Sequence, residues 1–208
     1  MPCEKDGSLI EHSDVELLFA ANGGLGPTVE AQRTAALTHN VPFGDIVQFA
    51  AAVGVSNCAG APRLEFMAGR PTTSQASPAG LVPGPGDTVD RILERMADAG
   101  FSADETVDLL ASHSIAAQQG LNTALGADHA LMSSAFRAAM VKLATLGNNR
   151  STLVDCSSVI PTPASAPAPP TIPGGKTLDD IEGSCAATPF PSLPIAPGPT
   201  PTVPAVAV

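Results

Sequence analysis

Ser102-Ala103-Asp104-Glu105-Thr106-Val107-Asp108-Leu109-Leu110-Ala111-Ser112-His113-Ser114-Ile115-Ala116 is the stretch on which the reading of this chain turns. Ser102 followed three residues later by Glu105 is a capping box, so a helix opens here, and the spacing carries it from about Ala103 to Gln119, ahead of Gly120. Leu109 and Leu110 stand four and three residues before His113, which puts the imidazole on the apolar face. A neutral imidazole in such a wall is either a hydrogen-bonded core residue or a metal ligand whose second nitrogen is held by an acceptor. The stretch alone leaves both readings open.

Working outward, Pro27 suits a first helical turn, and Thr28–Leu37 reads as a short helix. Asp45–Val55 follows with Ile46, Phe49, Ala50 and Val53 at helical spacing. Residues 1–25 are polar and then mixed, ending in the turn signal Asn22-Gly23-Gly24. Leu64–Ala68 has the length and composition of a short strand, and residues 71–86, rich in Pro, Gly and Ser, read as a surface loop. Thr88–Ala99 is amphipathic, with Val89, Ile92, Leu93 and Met96 inward and Gly100 as its stop. A last helix over Asp128–Leu146 lines up Met132, Phe136, Ala139, Met140 and Leu143, a stripe that reads as core, and Gly147 caps it. Past Cys156 the composition changes: 13 of the 21 prolines lie between Pro161 and Pro204, which leaves only a brief turn at Thr177–Glu182 and otherwise an extended arm. The expected architecture is all-α, with residues 1–156 as the helical body and 157–208 as a Pro-rich arm.

Charge narrows the function. Ten Lys and Arg against twenty Asp and Glu give −10, which argues against nucleic acid and against anionic membrane surfaces. No window holds the roughly 18 uninterrupted apolar residues of a membrane span, and Met1–Asp6 shows no apolar signal-peptide core. Trp and Tyr are both missing, so the core is built from Leu, Val, Ile, Met, Ala and seven Phe. Cys3, Cys58, Cys156 and Cys185 have no CxxC spacing, which disfavours zinc; two disulfides among them have three possible connectivities. Ser112-His113-Ser114 is no hydrolase triad, because neighbours on a helix point about 100° apart. Asp179, Asp180 and Glu182 read as an acidic surface turn, and His12, His39 and His129 as solvated surface. Asn149-Arg150-Ser151 has the form of a glycosylation acceptor.

Several ordered segments together resemble the secreted fungal haem peroxidases, class II of the plant-type superfamily. They are Asp6-Gly7-Ser8, His12-Ser13-Asp14-Val15-Glu16-Leu17, Ala21-Asn22-Gly23-Gly24-Leu25, Phe43-Gly44-Asp45-Ile46, Pro62-Arg63-Leu64-Glu65-Phe66, Leu81-Val82-Pro83-Gly84-Pro85-Gly86, the Ser102–Ala117 helix, Asp155-Cys156-Ser157 and Ile172-Pro173-Gly174-Gly175. The resemblance implies a truncated form of that helical fold binding haem b and calcium, in a monomer that reduces hydrogen peroxide and oxidises small phenolic donors outside the cell. It makes His113 the axial ligand of haem iron, Ser114 a ligand of a proximal calcium, and Asp6 and Ser8 ligands of a distal calcium; Pro83 falls in the segment that lines the haem access channel. Imidazole suits iron, and carboxylate or hydroxyl oxygen suits calcium.

The departures are equally specific. The family's distal arginine and histidine, which cleave the peroxide O–O bond, belong to a segment upstream of Asp6, and no Arg-x-x-x-His arrangement stands there. After Asn122 the family continues with further proximal calcium ligands and the aspartate that holds the proximal imidazole, whereas this sequence passes to Thr123-Ala124-Leu125-Gly126. The residues matching Cys58, Cys156 and Cys185 bridge, in the family, to cysteines of those two segments. The expectation is therefore a family member with weakened catalysis; the alternative is a non-catalytic fragment that retains at most haem and calcium half-sites. Asp108 stands where lignin-type and versatile enzymes place a tryptophan, and Gln119 where manganese-oxidising ones place an aspartate. Both point to the generic, low-potential, ink-cap-like group.

Overall fold

Two charged side chains separated by 25 residues organise the centre of the molecule. In the computed structural model, which describes residues 6–113, 129–165, 172, 174–180, 193–195 and 198, the Arg70 side chain is fully enclosed and its Nη1 lies 2.8 Å from Asp45 Oδ1. Asp45 sits in the first turn of α4 (Phe43–Ser56) and also accepts from the backbone N–H of Gly69 at 2.7 Å. Arg70 follows the short strand β1 (Met67–Ala68), donates back to the Met67 carbonyl, and reaches the Ala144 carbonyl at 2.7 Å. Ala144 is the last residue of α7 (His129–Ala144), so one guanidinium ties together a helix start, a strand end and a helix end.

Around this tie lies the apolar core of Ala52, Leu64, Phe66, Phe136 and Ile160, with Phe49 meeting Phe66 edge-on at 5.6 Å. Burying each such Leu, Ile or Phe side chain is worth about 1.5–3 kcal/mol. β1 pairs antiparallel with β2 (Val154–Asp155), Met67 opposite Asp155. Arg63 fastens the next turn, donating to the carbonyls of Ile160, Ser157 and Ser158 at 2.8–3.0 Å.

The fold is helical. α3 (Gly26–His39) carries Pro27 in its first turn and ends at Asn40 in the left-handed region, φ 51°. α5 (Val89–Asp98) is capped by Thr88, and α6 (Ala103–Leu110) by Ser102. Gly100 (φ 88°) and Gly147 (φ 76°) stop their helices as expected. Phe136 and Ala139 of α7 are buried as the stripe required. The brief turn in the arm is a 3₁₀ turn, Leu178–Asp180, and Ile172 bridges to Ile195.

Four details differ from the sequence reading. The stretch before Asn22, to which the sequence reading assigned no element, holds two short helices, α1 (Ser8–Glu11) and α2 (Ser13–Glu16), joined at His12. Val89 faces solvent at 69% exposure and α5 buries no residue fully, because amphipathic spacing marks an apolar face without supplying its cover. His12 is half-buried and hydrogen-bonded to the Ser74 carbonyl at 3.1 Å. The α-helical bonding of α6 ends at Leu110 and tightens into a 3₁₀ turn, Ala111–His113, while Leu110 is 40% exposed; the rest of that expected helix lies outside the described residues.

Candidate functional site

The loop over residues 71–86 is strapped down by acids from α1 and α2. Glu11 Oε2 accepts from the N–H and hydroxyl of Ser74 at 2.8 and 2.5 Å, and Glu16 Oε1 accepts from the Ser77 N–H at 2.9 Å. Arg95 of α5 donates to the Leu81 carbonyl at 2.8 Å, and the Asp87 carboxylate accepts from Gly84 N at 3.0 Å. Held at both ends, the loop forms one wall of a cleft of about 890 Å³. The opposite wall is Gly7, Ser8, Leu18, Phe19, Asn22 and Val47. The size is that of a small-molecule or cofactor site, and the lining is mainly apolar with a few polar groups. Ser8 and Pro83 thus share one cleft.

Asp6 stands behind Ser8 and is 8% exposed. Its Oδ1 accepts from the Ser8 N–H at 3.0 Å, and the Ser8 hydroxyl is 3.3 Å from that of Ser77. Gly7 between them has φ 87°, and a Cβ there would lie 2.5 Å from Gly44 N and from Phe43 Cβ. Only glycine lets this segment lie against the start of α4. A buried carboxylate beside a buried hydroxyl is hard-oxygen chemistry and fits calcium, but two side chains are well short of the six to eight oxygens calcium takes. Among the described residues, no three His, Cys, Asp or Glu side chains converge on a metal position. Cys58 and Cys156 carry free thiols.

On the other side, the backbone of His113 closes the 3₁₀ turn after α6, while its imidazole and Ser114 lie outside what the structure describes. The helix that carries it is fixed from its first turn. Ser102 Oγ accepts from Glu105 N at 3.1 Å, Glu105 Oε2 accepts from Ser102 N at 2.8 Å, and Lys142 of α7 bonds both Glu105 oxygens at 2.6 and 2.8 Å. The Lys142 ammonium also lies 5.0 Å from the ring centre of buried Phe101. The Lys142 contact, and then the Ser102 N–H, hold the Glu105 carboxyl below its usual range. Asp108 moves the other way, pushed up by burial and then by the neighbouring Asp104 and Glu105 carboxylates.

Comparison with known sequences decides the family. A model described as "Peroxidase" matches residues 5–168, and one described as "Fungal peroxidase extension region" matches residues 131–208. The chain belongs to the peroxidase family. A peroxidase of Arthromyces ramosus is 42% identical across 95% of this chain and 72% of its own length. One of Coprinopsis cinerea is 42% identical across 95% and 73%, and a versatile peroxidase of Pleurotus eryngii 39% across 97% and 73%. These relatives are fungal class II peroxidases, haem b enzymes that bind calcium. The Arthromyces match runs over 264 positions, more than the 208 residues here, so part of the relative inside the matched span has no counterpart in this peroxidase chain.

Of the expected site residues, Ser8 and Pro83 come together on the cleft and Asp6 accepts from the Ser8 N–H; the His113 side chain and Ser114 lie outside the described residues. The sequence reading missed the strap made by Glu11, His12 and Glu16. One signal was available: no lysine or arginine stands three or four residues from Glu11 or Glu16, so neither acid has a local partner on its own helix face.

Proposed function

We propose that these 208 residues form the haem-carrying and donor-facing part of a low-potential fungal peroxidase, with residues 1–156 as a partial peroxidase domain and 157–208 as its arm. In this reading His113 ligates haem iron, Ser114 contributes to a proximal calcium, Asp6 and Ser8 hold a distal calcium, and Pro83 borders the approach of small phenolic donors. The supporting observation is the cleft itself: Ser8 and Pro83, 75 residues apart, face one space of about 890 Å³ walled by Leu18, Phe19, Val47 and Val82. Its apolar walls suit small phenolic donors, and the acid-strapped loop holds Pro83 on the same cleft as Ser8.

Haem b, once bound, would supply the redox centre at which peroxide is reduced and donors are oxidised. What the chain adds is placement. α6, pinned by Glu105 and Lys142, leads into the turn that ends at His113; the Asp6-Gly7-Ser8 backbone is locked against α4, and the strapped loop forms one wall of the cleft. Proton transfer during O–O cleavage needs an acid/base group beside the peroxide. Nowhere in the 208 residues does an arginine stand four residues before a histidine, so the proposal includes weak turnover by this chain. The low-potential assignment rests on Asp108 and Gln119.

Haem titration of the purified chain, read by its Soret band, tests the reading, with phenol oxidation by peroxide measured on the same samples and His113→Ala alongside. A saturable shift lost in His113→Ala, with turnover no faster than free haem, is the expected result. Strong His113-dependent turnover would overturn the claim of weak catalysis. Absence of stoichiometric binding would overturn the haem assignment.

A further inference from the structure

We propose that Asn149 is a site of N-linked glycosylation. Asn149-Arg150-Ser151 is the sole Asn-x-Ser/Thr tripeptide in the 208 residues, and the structure sets it on an exposed turn between α7 and β2. Asn149 caps the 3₁₀ turn Arg150–Thr152, and its Oδ1 accepts from the Ser151 N–H at 3.1 Å and the Ser151 hydroxyl at 2.9 Å. With Oδ1 held by Ser151, Nδ2 occupies the other side of the planar amide on this exposed turn. Arg150, the middle residue, is drawn aside to Glu65, Nη2 to Oε1 2.5 Å. Thr152 bonds the Asn149 carbonyl twice, at 2.8 and 3.0 Å, and buried Leu153 anchors the far end. A bulky polar substituent therefore leaves a fixed, solvent-facing point without displacing core.

The donor is an oligosaccharide carried on a lipid diphosphate. Asn149 Nδ2 forms the bond to the sugar C1 as the bond from C1 to the diphosphate oxygen breaks; the lipid diphosphate leaves with that electron pair, and the amide proton passes to a base of the transferase. The reaction requires passage through a secretory route, the route of the fungal class II relatives. It is independent of whether haem binds.

The test is translation of the full chain, behind a secretory leader, into microsomes, with a C-terminal tag carrying one established acceptor tripeptide. Two glycans are expected, falling to one in both Asn149→Gln and Ser151→Ala and remaining two in Ser151→Thr. After enzymatic removal of glycan, the tryptic peptide Leu143–Arg150 should carry aspartate at position 149. A chain bearing only the tag's glycan, with Leu143–Arg150 unmodified, overturns the proposal.

Discussion

The Asp6-Gly7-Ser8 segment and the Ser102–His113 segment both lead to residues assigned to ligands, yet they are held in opposite ways. The first is fixed by distant parts of the chain: Gly7 fits only against Phe43 and Gly44, Ser8 meets Ser77, and Arg33 of α3 ties the Ile10 carbonyl to Ser13 and lies 5.7 Å over the Phe43 ring. The second is fixed by its own first turn, by the Glu105–Lys142 ion pair and by the packing of α6 along α7, with Thr106 buried and Ala111 against the core. A segment held by backbone fit fails when one neighbour moves, whereas an eight-residue helix keeps its start point from its cap and its stability from the face it packs. The comparison teaches that the oxygen-donor side depends on a close backbone fit to the start of α4, and the histidine side on a capped helix packed along α7.

The largest effect is expected where both sides meet. Asp45→Ala leaves Arg70 charged and enclosed, and breaking a buried pair from one side costs about 3–5 kcal/mol. It also frees the Arg70 link to Ala144 at the end of α7, so both segments should loosen together. Urea unfolding should show a much lower midpoint; an unchanged midpoint would mean that the two sides are not coupled through this pair. Gly7→Ala should act on one side only. It places a Cβ 2.5 Å from Gly44 N and forces a non-glycine residue to φ 87°, for a cost of about 2–4 kcal/mol. Any calcium-dependent rise in melting temperature should vanish in Gly7→Ala while most of the far-ultraviolet helical signal persists.

Legibility followed the same division. The capping box at Ser102 and Glu105, the stops at Gly100 and Gly147 and the buried stripe Phe136/Ala139 were readable because each depends on residues within a turn or two. The partners Asp45 with Arg70, Glu105 with Lys142 and Glu16 with Ser77 lie 25, 37 and 61 residues apart, and no local pattern encodes such pairs. Ser8 and Pro83 were each singled out by family resemblance alone, in separate roles, and the strapped loop supplies the physical cause of their meeting. Val89 was misread because helical spacing names an apolar face and is silent on what covers it.

Smaller effects sharpen the histidine side. Ser102→Ala removes the N-cap and should cost about 1 kcal/mol, shortening the helix from its start. Glu105→Gln keeps a capping amide yet ends the charge attraction to Lys142, so comparing the two separates cap from cross-link.

The smallest effect is a dependence on pH whose sign is fixed. Glu105 is held below its usual 4.5, so its contribution to stability is present above that value and is lost as pH falls through the lowered folded-state value. Asp108 is raised above 3.8, so folding favours its protonated form, and that contribution is lost as pH rises through the raised value. The two therefore oppose each other on one helix in the acid range. Lys142→Met removes the first cause of the Glu105 shift and should flatten the acid-side loss, leaving the part due to the Ser102 N–H; Asp108→Asn should instead remove the decline with rising pH. Unfolding midpoints across the acid range, at low and high salt, distinguish them, because the Glu105–Lys142 part is partly exposed and should shrink as salt screens it. If Lys142→Met leaves the acid limb unchanged, the cap and the packing against α7 hold α6, and the ion pair drops out of the comparison.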